Sequence, residues 1–178
     1  MSAWMTAAAR KALKVKDGLA AVAEWEAEHG ASPKRSLRLP GNGSAGLVLA
    51  RWPKAAVYDA GPLIASDRND RRFWADHRVR LEGGVVPLVP APVVAQVSRS
   101  PSQVQLRRLL RGCDVVPMTE QGAHEAGGLL AKAGTSDVVD AVVAMVTAAR
   151  RADVVTSDRP EIDDLLRYAG GAGKVIGI

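Results

Sequence analysis

The 178 residues contain one cysteine, Cys113, so no disulfide can form within the chain and no Cys-cluster zinc site can be built. Aromatic residues are nearly as scarce, at 4%, which predicts a core of Ala, Val and Leu. No apolar run reaches the roughly 18 residues of a membrane-spanning helix; the longest candidate, 138–149, is interrupted by Asp140. Contact with a membrane is therefore not expected. Arg10 and Lys11 arrive before an apolar segment can develop, so a secretory leader is not expected either, and the cytoplasm is the expected compartment. The three histidines, His29, His77 and His124, lack Ser or Asp partners at spacings that suggest nucleophilic catalysis. An aspartyl-nucleophile phosphatase is disfavoured too, because Asp59-Ala60-Gly61 lacks a second Asp as acid/base.

What is present describes an ordinary globular chain: 47% hydrophobic and 24% charged residues, enough for one domain with residues to spare. The net charge is +5. This permits nucleic-acid binding without establishing it. From residue 55 onward, strand-like runs alternate with amphipathic helical stretches. Strands are expected at 55–58, 85–89, 114–116, 153–156 and 174–178. Helices are expected at 63–66, 71–79, about 91–98, 101–110, 120–134, 137–150 and 160–168, with Thr119 capping the fifth and Thr135 or Ser136 the sixth. Unbroken apolar strands alternating with helices predict an α/β fold whose parallel sheet is covered on both faces. Ahead of it, 6–16 reads as a helix and Asp17 as the cap of a second stretch ending at Gly30. Residues 32–53, punctuated by Gly, Pro and Ser, read as a linker. The division is thus a helical segment at 1–31, the linker at 32–53 and the α/β domain at 54–178.

Ligands of open parallel sheets sit beyond the carboxyl ends of the strands. Asp59 and Asp158 fall at two such ends, while Asp137 and Asp140 share one face of a helix start. Four carboxylates converging on one rim repel each other, and a hard divalent cation, Mg²⁺ or Mn²⁺, relieves that repulsion. Such a site suits metal-assisted phosphodiester hydrolysis. Each residue also has a plain structural role open to it: Asp59 as a helix cap, Asp137 as a dipole partner, Asp158 as a turn residue. Asp140 is harder to explain that way, since valines surround it in sequence.

Four ordered motifs carry a resemblance: Val57-Tyr58-Asp59-Ala60-Gly61-Pro62-Leu63-Ile64-Ala65, Val89-Pro90-Ala91-Pro92-Val93-Val94-Ala95, Gly134-Thr135-Ser136-Asp137-Val138-Val139-Asp140-Ala141 and Val155-Thr156-Ser157-Asp158. Over about 54–178 the chain resembles PIN-domain ribonucleases, in particular the VapC-type toxins of bacterial toxin–antitoxin pairs. The resemblance implies a PIN-like α/β/α sandwich and a Mg²⁺- or Mn²⁺-dependent endoribonuclease acting as a homodimer on structured RNA such as tRNA or rRNA. It makes Asp59, Asp137, Asp140 and Asp158 the catalytic, metal-holding carboxylates. The helix after the second motif commonly carries a Glu in this family, and here Gln96 stands in its place. An amide can ligate or hold a water but adds no charge, which puts the metal count in question.

RNA phosphates are expected to meet arginines, foremost Arg68, Arg71, Arg72 and Arg99, then Arg78, Arg80, Arg107, Arg108 and Arg111; the alternative is a solvated helix face. The segment Lys16 to Ala31 resembles the toxin-docking part of small VapB-type antitoxins, with Leu19, Val22, Trp25 and also Trp4 as apolar anchors. The resemblance implies an antitoxin partner, or this antitoxin-like segment docked in cis or from a neighbouring chain. An ordinary N-terminal helix packing on its own domain has the same pattern. A catalytically silent PIN-fold interaction module is the rival to the ribonuclease.

Overall fold

The computed structural model describes residues 3–33 and 55–178. The expected linker lies outside the described residues from residue 34 on, as does the side chain of Trp4. The strands are β1 (Ala56–Tyr58), β2 (Leu88–Pro90), β3 (Asp114–Val116), β4 (Asp153–Thr156) and β5 (Val175–Gly177). The helices are α1 (Ala3–His29), α2 (Ala60–Asp67), α3 (Arg71–Glu82), α4 (Ala91–Val97), α5 (Val104–Arg111), α6 (Glu120–Ala133), α7 (Val138–Arg150) and α8 (Arg159–Tyr168). All strand pairs are parallel, in the order β3-β2-β1-β4-β5. The fold is therefore the expected α/β sandwich, preceded by an N-terminal helix. Val57, Val89, Val154 and Val155 are fully buried in the sheet, as strands covered on both faces require.

This order reverses direction at β1. The chain leaves β1 toward β2 and β3, then returns across the sheet to β4 and β5. Right-handed crossovers running in opposite directions place α2–α5 on one face and α6–α8 on the other. The gap between β1 and β4 is the switch point of the sheet, where α/β folds bind ligands. Among the described residues no helix is long and apolar enough to cross a membrane.

Element boundaries moved for physical reasons. The strand expected at 85–89 pairs only from Leu88. Val85, Val86 and Pro87 are buried but outside it: the Val85 N–H is given to Arg80 O at 2.9 Å, and Pro87 has no N–H to give. The helix after β1 starts at Ala60, directly behind Asp59, rather than at residue 63. The sixth expected helix is capped neither by Thr135 nor by Ser136. Asp137 itself accepts from the backbone N–H of Val139 and Asp140, at 2.8 and 3.1 Å.

The largest change concerns the N-terminal segment. Asp17 caps nothing, and 3–29 is a single helix. Gly18, a weak helix former in isolation, is buried where α1 crosses the end of α5; a Cβ there would lie 2.7 Å from Gly112 Cα and from Leu81 Cδ1. The glycine is thus a contact point rather than a break. Beyond it, α1 buries Ala21, Val22 and Trp25, with Leu19 half-buried. Trp25 stacks on Trp74 at 5.2 Å and on His29 at 5.0 Å. Its indole N–H donates to Asn69 Oδ1 at 2.9 Å; Asn69 holds a left-handed φ of 60°, which Asn tolerates better than most residues.

The core is accordingly not purely aliphatic. Trp25, Tyr58, Phe73 and Trp74 form one ring cluster with His77, so a small stock of aromatics is spent at one place. His77 bonds Tyr58 through Nδ1 at 3.0 Å. Burial, with Arg80 nearby, pushes its pKa down to about 3, so it stays neutral.

Ion pairs ring this apolar contact. Glu26 meets Arg78 at 2.7 Å, Glu24 meets Arg111 at 2.5 Å, and Glu28 pairs with Arg108. Ion pairs at the surface, exposed or partly covered, contribute about 0–1 kcal/mol each, so they orient α1 while the buried Trp25 anchors it. Trp25→Ala should lower unfolding stability by about 3–5 kcal/mol. Gly18→Ala should also destabilise, since the clash with backbone at Gly112 outweighs a helix-propensity gain of about 1 kcal/mol. Urea unfolding followed by circular dichroism checks both signs.

Candidate functional site

The register of β1 on β4 builds the site. Tyr58 pairs with Val155, and the Asp59 N–H donates to Val155 O at 3.1 Å. Asp59 therefore emerges beside Thr156. It occupies the N-cap position of α2 but makes no capping bond with its side chain. Instead the buried Thr156 hydroxyl donates to Asp59 Oδ2 at 2.7 Å and accepts from the Asp158 N–H at 2.9 Å. One hydroxyl thus ties the ends of β1 and β4 together. Asp59 is 5% exposed, and its Oδ1 is buried with no hydrogen-bond partner among the described residues. A solitary buried carboxylate oxygen is costly. The close approach of the two loops needs Gly61, where a Cβ would lie 2.7 Å from Ser157 Oγ and 2.9 Å from Ser157 N.

Asp137 and Asp140 come from the start of α7. Asp137 Oδ1 is committed to the two capping bonds. Asp140 is half-buried, and its pKa is pushed up to about 7, first by burial and then by the charges of Asp59, Asp137, Glu161 and Asp158. Asp59, Asp137 and Asp158 are therefore near enough to act electrically on Asp140. Glu161 joins them and escaped the sequence reading. Three residues after Asp158, it has the spacing of an ordinary capping pair at a helix start; its N–H lies 3.5 Å from Asp158 Oδ1. The N-termini of α2, α7 and α8 meet the same rim, where helix dipoles favour negative charge.

The donors are all hard oxygens, and Asp59 Oδ1 is an unused one, so the chemistry of the set fits Mg²⁺ or Mn²⁺. Among the described residues, however, no three His, Cys, Asp or Glu side chains are gathered as a ready ligand group. Gln96 is exposed on α4 and lines a cleft of about 450 Å³ with Arg68, Arg99 and Asp67, bordered by Ala60, the neighbour of Asp59. A larger depression of about 680 Å³ between α6, α7 and the end of α8 contains none of these residues.

The arginines divide into two groups. Arg78, Arg108 and Arg111 are engaged by the acidic side of α1, and Arg71 donates to Ala31 O at 2.6 Å. Arg80 is buried, with its guanidinium 5.8 Å from the Tyr58 ring centre, so it is neither a solvated residue nor a free phosphate ligand. Arg107 donates to Pro101 O. Arg68, Arg72 and Arg99 remain exposed. The antitoxin-like anchors Val22 and Trp25 are buried and Leu19 half-buried, all on α1. No protein-family model matches the chain, and a search of curated proteins finds no match.

The raised pKa of Asp140 makes a stability prediction with a definite sign. Between about pH 4 and 7 the native state keeps a proton that the unfolded chain has released, so stability falls as pH rises through that window. Asp140→Asn removes the effect. The variant should melt higher than the unaltered chain at pH 8, and the difference should shrink toward pH 5, as measured by thermal unfolding in metal-free buffer.

Proposed function

We propose that the chain is a metal-dependent endoribonuclease of the VapC-type, PIN-domain kind, cutting structured RNA such as tRNA or rRNA in the cytoplasm as a homodimer. In this reading α1 is an antitoxin-like segment docked in cis. The observation that carries it is the convergence of Asp59, Asp137, Asp140 and Asp158 at the switch point of a parallel sheet, with a buried, unpartnered oxygen on Asp59. The ordered motifs add to it.

Asp59, Asp137, Asp140 and Asp158 would hold Mg²⁺ or Mn²⁺, which supplies activation of water and neutralisation of charge in phosphodiester hydrolysis. The chain's own groups divide the remaining work. Thr156 occupies Asp59 Oδ2 and leaves Oδ1 to face a ligand. The capping bonds occupy Asp137 Oδ1 and leave Oδ2. Asp140, half-buried among the other carboxylates, would give its charge to the same ion. The N-termini of α2, α7 and α8 favour an anionic phosphate at this rim.

The silent interaction module draws on two observations: no ready ligand group is gathered among the described residues, and α1 occupies Arg78, Arg108 and Arg111. One experiment separates the readings. The full chain is incubated with total tRNA and rRNA with and without Mn²⁺, and Mn²⁺ binding is measured by calorimetry. The ribonuclease reading expects Mn²⁺-dependent cleavage, lost by at least about 100-fold in Asp59→Asn and Asp137→Asn while their melting temperatures show a folded chain. Full activity in both variants overturns it. Absence of both cleavage and Mn²⁺ binding favours the silent module.

A further inference from the structure

The family resemblance puts Gln96 among the metal-site residues, but its surroundings in this chain have a different character. Gln96 opens onto the cleft between α2 and α4, where the two flanking cations are Arg68 and Arg99. Ile64 and Val97 give the cleft an apolar part. Its acidic member, Asp67, accepts from Gln103 Nε2 at 3.0 Å. Gln103 also holds the loop after α4 in place, since its Oε1 accepts from the N–H groups of Arg99 and Ser100 at 2.6 and 3.1 Å. Arg99 therefore sits on a braced backbone. Among the described residues its guanidinium has only long contacts, 3.5 Å each, to the carbonyls of Ala95 and Ser98. The other arginines near α1 are taken up by Glu24, Glu26 and Glu28, whereas Arg68 and Arg99 have no acidic partner among the described residues. Two open guanidinium groups, an amide with both donor and acceptor, an apolar floor and a volume of about 450 Å³ match one nucleotide: phosphate on Arg, base edge on Gln, base face on aliphatic carbon.

We propose that this cleft is a subsite for one unpaired nucleotide of a single-stranded RNA segment next to the carboxylates. Arg68 and Arg99 take its phosphate, and Gln96 meets the hydrogen-bonding edge of its base. Gln96 is then a specificity residue rather than a metal ligand. Ala60, at the mouth of the cleft, adjoins Asp59 in the chain, so a nucleotide held here flanks any phosphodiester presented to the carboxylates. The proposal rests on the ribonuclease reading and sharpens it by naming a single-stranded substrate element and the side chains that select it.

The test uses the full chain carrying Asp59→Asn, in EDTA, with fluorescein-labelled single-stranded RNA hexamers of the four homopolymer sequences, read by anisotropy. Arg68→Ala and Arg99→Ala should each weaken binding about tenfold at low salt for all four hexamers and reduce the salt slope by about one. Gln96→Ala should leave the salt slope unchanged and bring the four affinities together, because only the base contact is lost. Gln96→Glu, placed in the otherwise unaltered chain, should weaken RNA binding and leave Mn²⁺ affinity as it was; tighter Mn²⁺ binding would return Gln96 to the metal site and overturn the proposal. Hexamer binding that is the same in all three alanine variants as in the parent overturns the subsite while sparing the ribonuclease reading. A parent that binds none of the four hexamers, together with an unaltered chain that cleaves no RNA in Mn²⁺, overturns both. Arg167→Ala, on the far end of α8 and paired with Asp164, should bind as the parent does.

Discussion

The parallel pairing of β1 with β4 is the constraint on which the candidate site depends. It joins residues almost a hundred positions apart, with Ala56, Val57 and Tyr58 facing Asp153, Val154 and Val155. A slip of one residue would turn the buried valines to the wrong face, so the register is held by the core itself. With the register set, Asp59 must emerge beside Thr156, and the hydroxyl of Thr156 can serve Asp59 and the Asp158 backbone together. Placing α7 across both strands then brings Asp137 and Asp140 to the same rim. The apolar interior and the acidic rim are thus consequences of a single alignment.

The cost of the arrangement is visible where it would be expected. Burial and neighbouring negative charge raise Asp140 to about 7, and Asp59 keeps an oxygen without a partner. Both features spend stability in the ligand-free protein, as functional sites commonly do. The dipoles of three helix starts offset part of the repulsion, though each is worth only some tenths of a kcal/mol up to about 1 kcal/mol. A divalent cation would offset more, which is why the proposed chemistry and the observed electrostatics agree in direction.

A second organising contact is Trp25 on Trp74, which makes α1 part of the same hydrophobic cluster as the sheet. The acidic side of α1 then meets arginines of α3 and α5. This divides the cationic surface into a portion answered by the chain's own glutamates and a portion, Arg68 and Arg99, open on the cleft that Ala60 borders. Net charge could not have shown this division, because charge counts carry no information about which residues face one another.

Periodicity and turn chemistry alone determined the α/β class, the strands at 114–116 and 153–156, and the helix from Thr119 to its left-handed stop at Gly134, since those signals are local. The aspartates were legible for the same reason: they stand at strand ends and a helix start. Only the tertiary structure decided that α1 runs unbroken through Asp17 and Gly18, because the reason for Gly18 is Gly112, far away in the chain. It alone gathered four of the few aromatics around His77, added Glu161 to the acidic rim, and set Gln96 in one cleft with Arg68 and Arg99. Each of these depends on contacts between distant segments, and a contact made by folding leaves no mark in the spacing of neighbours.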